Sequence, residues 1–420
     1  MEKKKIVFLL LSFFLLFSSL KAQESDSFYS IGGVVKDFRT KKKIEHVTVS
    51  ALGTNVGTIS NEDGEFVLKL NDTLNVREIE LSSMGYYNAR IPISNEDLLG
   101  QEFFLRPKEI HLNEVEVSTW RDPQDLIEAA VERIGTNYSR TPNLLTGFYR
   151  ETVQKGRKYI NISEAVVRIF KTGYAMDVDA DRVQIIKGRK LVSPKAIDTL
   201  SVTLLGGPNL ALYIDVVKNP DLILDPEFFH FYSYKMGDWV TINDRIQYVV
   251  HFKSNVLTSI PLYSGTFYID RETLAFTRAE FTMDMNDKNK ATDLILRRKP
   301  KGLRFSPTEL TYVINYKQQN GKSYLNYIRN EIRFKCDWTR RLFATNYTVI
   351  SEMVITDKQD DNVSRIPQKQ AFSERKSLSN EAMVYYDPDF WGAYNIIEPT
   401  ESLESAVGKL KRTDSPSEDF

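Results

Sequence analysis

Cysteine is almost missing from this chain of 420 residues. Cys336 stands alone, so no internal disulfide can form, and any fold must be held by its core. Histidine is scarce too. None of His46, His111, His230 and His251 stands at the His-x-His or helical spacing that a zinc peptidase uses. Neither charge sign is in excess: 56 Lys and Arg meet 56 Asp and Glu, which leaves no basic footprint for nucleic acid. No Gly-x-Ser-x-Gly elbow occurs. Gly206-Gly207-Pro208 is followed by no Lys-Ser or Lys-Thr, so it reads as a turn and not as a phosphate cradle. Beyond the first twenty residues no apolar run is long enough for a transmembrane helix.

Two acidic patterns come close to chemistry and miss it. Asp177-Val178-Asp179-Ala180-Asp181 alternates carboxylates as calcium loops do. Arg182 stands where that template needs glycine, however, and Gly188 where it needs glutamate, so a solvated acidic loop is expected. Pairs such as Asp225 with Glu227 are expected by chance among 56 acids. His46 and His251 read as satisfied strand residues, and Cys336 as a small buried hydrophobe. No catalytic, cofactor-binding or metal-ligating residue is assigned, and no cofactor is expected.

What is present is a globular, β-leaning composition. Hydrophobic residues at 42% can build a sizeable core, and 12% aromatics, mostly Tyr and Phe, favour pleated faces. Lys3, Lys4 and Lys5, the apolar run Ile6–Leu20 and then Ala22 fit a secretory signal peptide over residues 1–22. No cysteine follows the run, so lipid anchoring has no support. Cleavage would remove four lysines and one glutamate, which leaves 52 basic against 55 acidic groups and a charge of −3.

Residues 29–118 read as an antiparallel β-sandwich. Val47, Val49 and Ala51 alternate with Thr48 and Ser50, and Phe66, Leu68 and Leu70 alternate with Glu65, Val67 and Lys69. Between them lies Gly53-Thr54-Asn55-Val56-Gly57-Thr58-Ile59-Ser60-Asn61-Glu62-Asp63-Gly64, whose glycines offer positive φ and whose Asn61 and Asp63 can close turns. Leu81–Tyr86 adds a strand with a kink at Gly85, and Gln101–Arg106 another. This succession, with Gly33-Val34-Val35 and Ser83-Met84-Gly85-Tyr86, resembles the carboxypeptidase regulatory-like domain. Leu112-Asn113-Glu114-Val115-Glu116-Val117 resembles the run that often ends it. The resemblance implies a transthyretin-like sandwich that accompanies enzymes without catalysing. Such domains are common at the start of exported proteins of Bacteroidetes-type bacteria, TonB-dependent receptors included. Lys43 stands where the family usually has proline before Ile44.

Residues 119–140 should hold a connecting helix, with Asp122 as N-cap, Pro123 in the first turn, and Leu126, Ala130, Val131 and Ile134 on one face. Residues 141–360 read as a large curved antiparallel meander. Its hairpins are expected at Gln154–Arg157, Lys187–Arg189, Asp270–Thr273 and, most strongly, Asn320-Gly321. Ile328, Ile332, Phe334 and Cys336 should face a core, and Arg329, Glu331, Arg333 and Lys335 water. By analogy alone this region is similar to the half-barrel of periplasmic lipoprotein carriers. Residues 361–412 add an aromatic segment (Tyr386, Phe390, Trp391, Tyr394) expected to pack on the sheet, then a helix capped by Thr400; 413–420 read as disordered tail.

The expected protein is thus mainly β and exported, periplasmic or outer-membrane associated. It is a binding or scaffold protein for an envelope protein, a glycan or a lipid. A periplasmic carrier of a lipophilic molecule, and a hydrolase with an unrecognised site in the second domain, are the alternatives.

Overall fold

A period of two runs through most of the chain, and strands follow from it. The structure is a computed structural model that describes residues 27–414 apart from 109–119, 194, 196–199, 201, 205, 257, 259, 340–342, 374–375, 377, 379–382 and 385–389. The expected signal peptide, the Leu112–Val117 run, His111 and Tyr386 lie outside those residues.

Strands β1 (Phe28–Asp37), β2 (Thr48–Ala51), β3 (Gly57–Ile59), β4 (Glu65–Asn71), β5 (Glu78–Ser82), β6 (Ala89–Pro92) and β7 (Leu98–Leu105) form two small sheets, β4-β1-β7 and β3-β2-β5-β6. In β4, Phe66, Leu68 and Leu70 are buried and every neighbour is half-buried. They meet Ile31, Val35, Val47, Val49, Ile79 and Leu81 to fill the layer between the sheets. The sandwich is antiparallel except where β1 and β7 run parallel. There Gly33 is obligatory, because a Cβ would sit 1.9 Å from the Gln101 carbonyl oxygen. Gly85 is not a kink inside a strand. The β5 ladder stops at Ser82, and Gly85 follows in a turn at φ +80°.

The second region supplies β8 (Asn143–Lys155), β9 (Lys158–Lys171), β10 (Arg182–Val192), β11 (Thr203–Leu204), β12 (Tyr232–Met236), β13 (Val240–Ile242), β14 (Arg245–Ser254), β15 (Tyr263–Asp270), β16 (Phe276–Met283), β17 (Leu296–Arg298), β18 (Leu303–Gln319), β19 (Lys322–Trp338), β20 (Thr345–Gln359) and β21 (Met383–Val384). All but β11 and β17 join one open sheet, ordered β12-β14-β15-β16-β18-β19-β20-β8-β9-β10-β21 with β13 beside β14. Its pairs are antiparallel save β10 with β21. The β18–β19 hairpin turns on Asn320 (φ 51°) and Gly321 (φ 74°), two consecutive positive φ values as a type I′ turn requires. The hairpin expected at Lys187–Arg189 does not exist. β10 runs straight through Gly188, because β9 offers it a continuous partner, and a bulge between Ile185 and Lys187 absorbs the irregularity.

Among the described residues five α-helices join the strands: α1 (Pro123–Glu132), α2 (Ile134–Asn137), α3 (Pro208–Tyr213), α4 (Lys288–Ile295) and α5 (Glu401–Asp414). Asp122 caps α1, accepting from the Gln124 amide at 2.9 Å. Leu126, Ile127 and Ala130 of α1, Ala211 and Leu212 of α3, and Ala291 and Ile295 of α4 enter the core on the sheet's inner face. The sheet's concavity is thereby filled with side chains. Thr413, expected in the tail, belongs to α5.

The outer face is not simply wet. At its centre Phe148, Val166, Tyr327 and Val354 are buried under Ile59 of the sandwich and Phe390, Trp391, Ile396 and Ile397 of the C-terminal segment. Arg333 and Lys335 are exposed as expected, but Arg329 and Glu331 are half-buried. Elements more than two hundred residues away in sequence cover them.

Candidate binding cleft between sandwich and sheet

The glycine-rich motif that marks the sandwich is also its clasp. Asn61 Oδ1 accepts from the Asp63 and Glu65 amides, both at 2.9 Å, closing the expected turn. Its side-chain amide donates to the Pro399 carbonyl at 3.1 Å, and the Thr58 hydroxyl donates to Ile396 at 2.9 Å. Asp63 closes no turn of its own. Its Oδ2 accepts from the Glu401 amide at 3.0 Å, and with the Thr400 hydroxyl it satisfies the first turn of α5. Glu62 meets Arg329 of the sheet at 3.0 Å.

A buried arginine holds the same segment from the sheet side. Arg150 pairs with Glu164 at 2.8 Å and donates to the Ile397 carbonyl at 2.7 Å, while Arg189 reaches Glu164 at 2.6 Å. Burial alone would raise the Glu164 carboxyl; the two guanidinium groups outweigh it and hold the group below its ordinary range. Trp391 stands edge-on to Phe148 at 5.3 Å with Arg189 over its ring.

Beside this dock the layers part into contiguous cavities of about 310 Å³ and 260 Å³, with a 30 Å³ extension. The sandwich contributes Thr48, Ser50, Glu80, Ser82, Asn88 and Arg90; the sheet contributes Asn243, Gln247, Asp270, Thr277, Lys317 and Ser323. Glu45, His46, Arg278, Asn315 and Asn326 line the second hollow. The walls are hydroxyls, amides and ions. Most of the charges are engaged: Arg90 with Glu80 at 3.1 Å, Arg245 with Asp270 at 2.6 Å and Lys108 with Asp244 at 3.6 Å.

Three groups facing the cleft are not. Asn88 Oδ1 has no hydrogen-bond donor. His46 Nε2 lies 3.9 Å from Glu352, too far to bond, and burial lowers the imidazole's pKa despite that carboxylate. Lys317 lines all three hollows, and its ammonium makes no hydrogen bond or ion pair among the described residues. Burial pushes it down to about 8, Glu80 opposing and Lys358 adding to the shift. Strand alternation positions it: Tyr312, Ile314 and Tyr316 of β18 enter the inner core, so Lys317 faces the sandwich, and opposite it β19 bulges, with Asn326 as the extra residue.

On the inner face the acidic stretch is solvated at Asp177 and Asp179, as expected, but not at Asp181. Asp177 accepts from the Asp179 amide at 2.8 Å, but the Asp181 side chain is 2% exposed and pairs with Lys171 at 3.3 Å. Lys171 also meets Asp215 at 2.9 Å, and Asp215 accepts from the Tyr316 hydroxyl at 2.7 Å. Lys218 donates to the Thr172 hydroxyl at 2.8 Å and the Gly173 carbonyl at 2.5 Å. A larger hollow of about 570 Å³ opens nearby, between Asp181, Arg182, Asn209, Tyr213 and Phe372.

His46 is in a turn at φ 55° and not in a strand, while His251 lies in β14, exposed, 2.9 Å from the Thr266 hydroxyl. Cys336 is buried in the core, its thiol pushed up to about 11. Phe390 and Trp391 pack on the sheet. No group of three or more His, Cys, Asp or Glu that could hold a metal occurs among the described residues. Sequence reasoning assigned none of the cleft residues to a site. The local signal at Lys317 is that of any outward lysine on a strand, and what encloses it is remote in sequence.

The geometry defines a two-part β protein: a small sandwich clasped onto the outer face of a large open sheet, with a polar cleft at the seam. Residues 31–117 match the family described as CarboxypepD_reg-like domain, so the sandwich is that domain. No curated protein matches the chain. Among solved structures, a LolA superfamily protein from Nitrosomonas europaea is similar at 13% identity and a TM-score of 0.23. The match covers 61% of this chain and all of the other. A DUF1329 family protein from Desulfovibrio piger is similar at 14% identity and the same TM-score, covering 58% of this chain and 95% of the other. Superpositions that loose assign no function.

Proposed function

We propose that this chain is exported to the cell envelope and works there as a non-catalytic binding protein. In this reading the sandwich is one fixed wall of a site for a polar, hydroxyl-bearing ligand such as a short glycan. The N-terminal lysines and apolar run support export, as does the kind of protein in which the regulatory-like domain is common. One observation carries the binding reading: the seam is hollow, and its walls end in hydroxyls, amides and ions. Small-ligand sites run from about 300 Å³ upward, which suits one or two sugar rings here. A lipophilic cargo has less to recommend it, since helices pack into the sheet's inner face and the hollow of about 570 Å³ left there is lined by Asp179, Asp181, Arg182 and Asn209 as well as apolar groups.

Isothermal titration of the mature chain against neutral and acidic mono- and disaccharides tests this. Saturable binding is expected, and Asn88→Trp, which adds a large ring to the cleft's lining from a loop position, should abolish it. Binding that survives Asn88→Trp in a folded protein, or no binding of any member of the panel, sinks the reading.

A further inference from the structure

We propose that the ligand of this cleft carries an anionic group, a carboxylate or a phosphate ester, and that Lys317 is the residue that receives it. This rests on the cleft being the binding site and adds the charge of what enters.

Charge accounting around the seam leads there. Glu80 on β5 is bound to Arg90 on β6, and Asp270 at the end of β15 to Arg245 on β14. Arg278 on β16 donates to Asn315 at 2.7 Å and pairs with Glu280, and Lys358 on β20 pairs with Asp360. Each of these facing charges has an opposite within reach. Lys317 makes no hydrogen bond or ion pair among the described residues, although it is half-buried and lines every hollow of the cleft; Glu80, already paired with Arg90, acts on it only from a distance, and Glu45 of the second hollow is exposed. A half-buried cation with no ion pair of its own is incompletely solvated, and an arriving anion completes its solvation. The neighbouring donors suit an oxyanion that remains partly hydrated: the Asn326 amide at the bulge donates to the Thr48 hydroxyl at 3.4 Å, which leaves that hydroxyl's own proton and the Ser50 hydroxyl for a ligand.

The same arrangement dictates a pH dependence. With the cleft empty the ammonium loses its proton near 8. An anion favours the charged form, so binding takes up a proton once the pH passes that value. Affinity should then fall, by up to about tenfold per pH unit above 8.

The test is titration calorimetry of the full mature chain with three probes: a uronic acid disaccharide, its neutral parent and a sugar phosphate. The wild type should bind one or both acidic probes more tightly than the neutral one. Lys317→Met should weaken that binding roughly tenfold to a hundredfold, Lys317→Arg should retain most of it, and the neutral probe should not distinguish the three proteins. The proposal is overturned if Lys317→Met, folded by its unchanged unfolding midpoint, binds an acidic probe as wild type does. It is also overturned if neutral and acidic probes bind alike, or if neither acidic probe binds. Neutral binding that Asn88→Trp abolishes would then leave the cleft reading standing without its charge. The uronate and phosphate arms separate the two sources of anion.

Discussion

Two lysines on opposite faces of one sheet share a displacement and differ in everything else. Burial pushes both Lys218, on the inner face, and Lys317, in the seam, down to about 8. Lys218 is fully buried, donates to Thr172 and Gly173, and belongs with Lys171 to a set of two lysines and two aspartates whose charges cancel. Lys317 has an open volume in front of it. The difference teaches how to read a perturbed lysine: a closed set of partners makes it part of the fold, whereas an open one leaves its solvation to be completed by something else.

The largest effect that can break this comparison is on the closed side. Asp215 is 0% exposed and answers Lys171, Tyr316 and Tyr174 together. Asp215→Ala strands a buried ammonium and two hydroxyls, and should cost about 3–5 kcal/mol in urea denaturation. A loss below about 1 kcal/mol would mean that the inner cluster is no more closed than the seam.

The next effect concerns the dock beside the cleft. Trp391→Ala removes the ring between Phe148, Phe390 and Arg189 and should cost about 3 kcal/mol. The sandwich should also become more open to proteolysis than the sheet. Unchanged protection would show that the clasp at Asn61, Thr58 and Asp63 holds alone, and that the cleft's width does not depend on the aromatic segment.

These features differ in how far the sequence announces them. The sandwich motif, the cap at Asp122, the β8–β9 turn and the Asn320-Gly321 hairpin are local, and each is written within a dozen residues. The Gly188 region failed because a three-residue turn signal was overruled by a long partner strand, β9, that only the folded sheet supplies. Asp181 failed for a related reason. Its neighbours in sequence are solvated, and its partners Lys171 and Lys218 come from other segments. The cleft was illegible altogether: Asn88, His46 and Lys317 become one site only after the sandwich docks on the sheet from more than two hundred residues away. Periodicity says which side of a strand is apolar, not what will later cover the polar side.

The smallest effect is the most informative about the seam. Lys317→Met removes a desolvated charge that has no partner to strand, so stability near neutral pH should change by less than about 1 kcal/mol, and upward. Lys218→Met should be clearly destabilising, since it leaves Asp181 and Asp215 facing Lys171 alone. The pH dependence sharpens the contrast. For each lysine the folded-state pKa lies near 8, below its ordinary 10.5, so between those values the unfolded chain holds more protons and stability rises with pH. Above about 10 the buried Tyr174 and Tyr316, whose hydroxyls are raised by burial and by Asp215, turn the slope downward. Urea midpoints at about pH 7 and about pH 9.5 therefore bracket the useful window. Wild type should gain stability across it, and Lys317→Met should lose part of that gain while starting no lower at pH 7. If Lys317→Met is as destabilising there as Lys218→Met, Lys317 has protein partners after all, and the two faces of the sheet obey one rule.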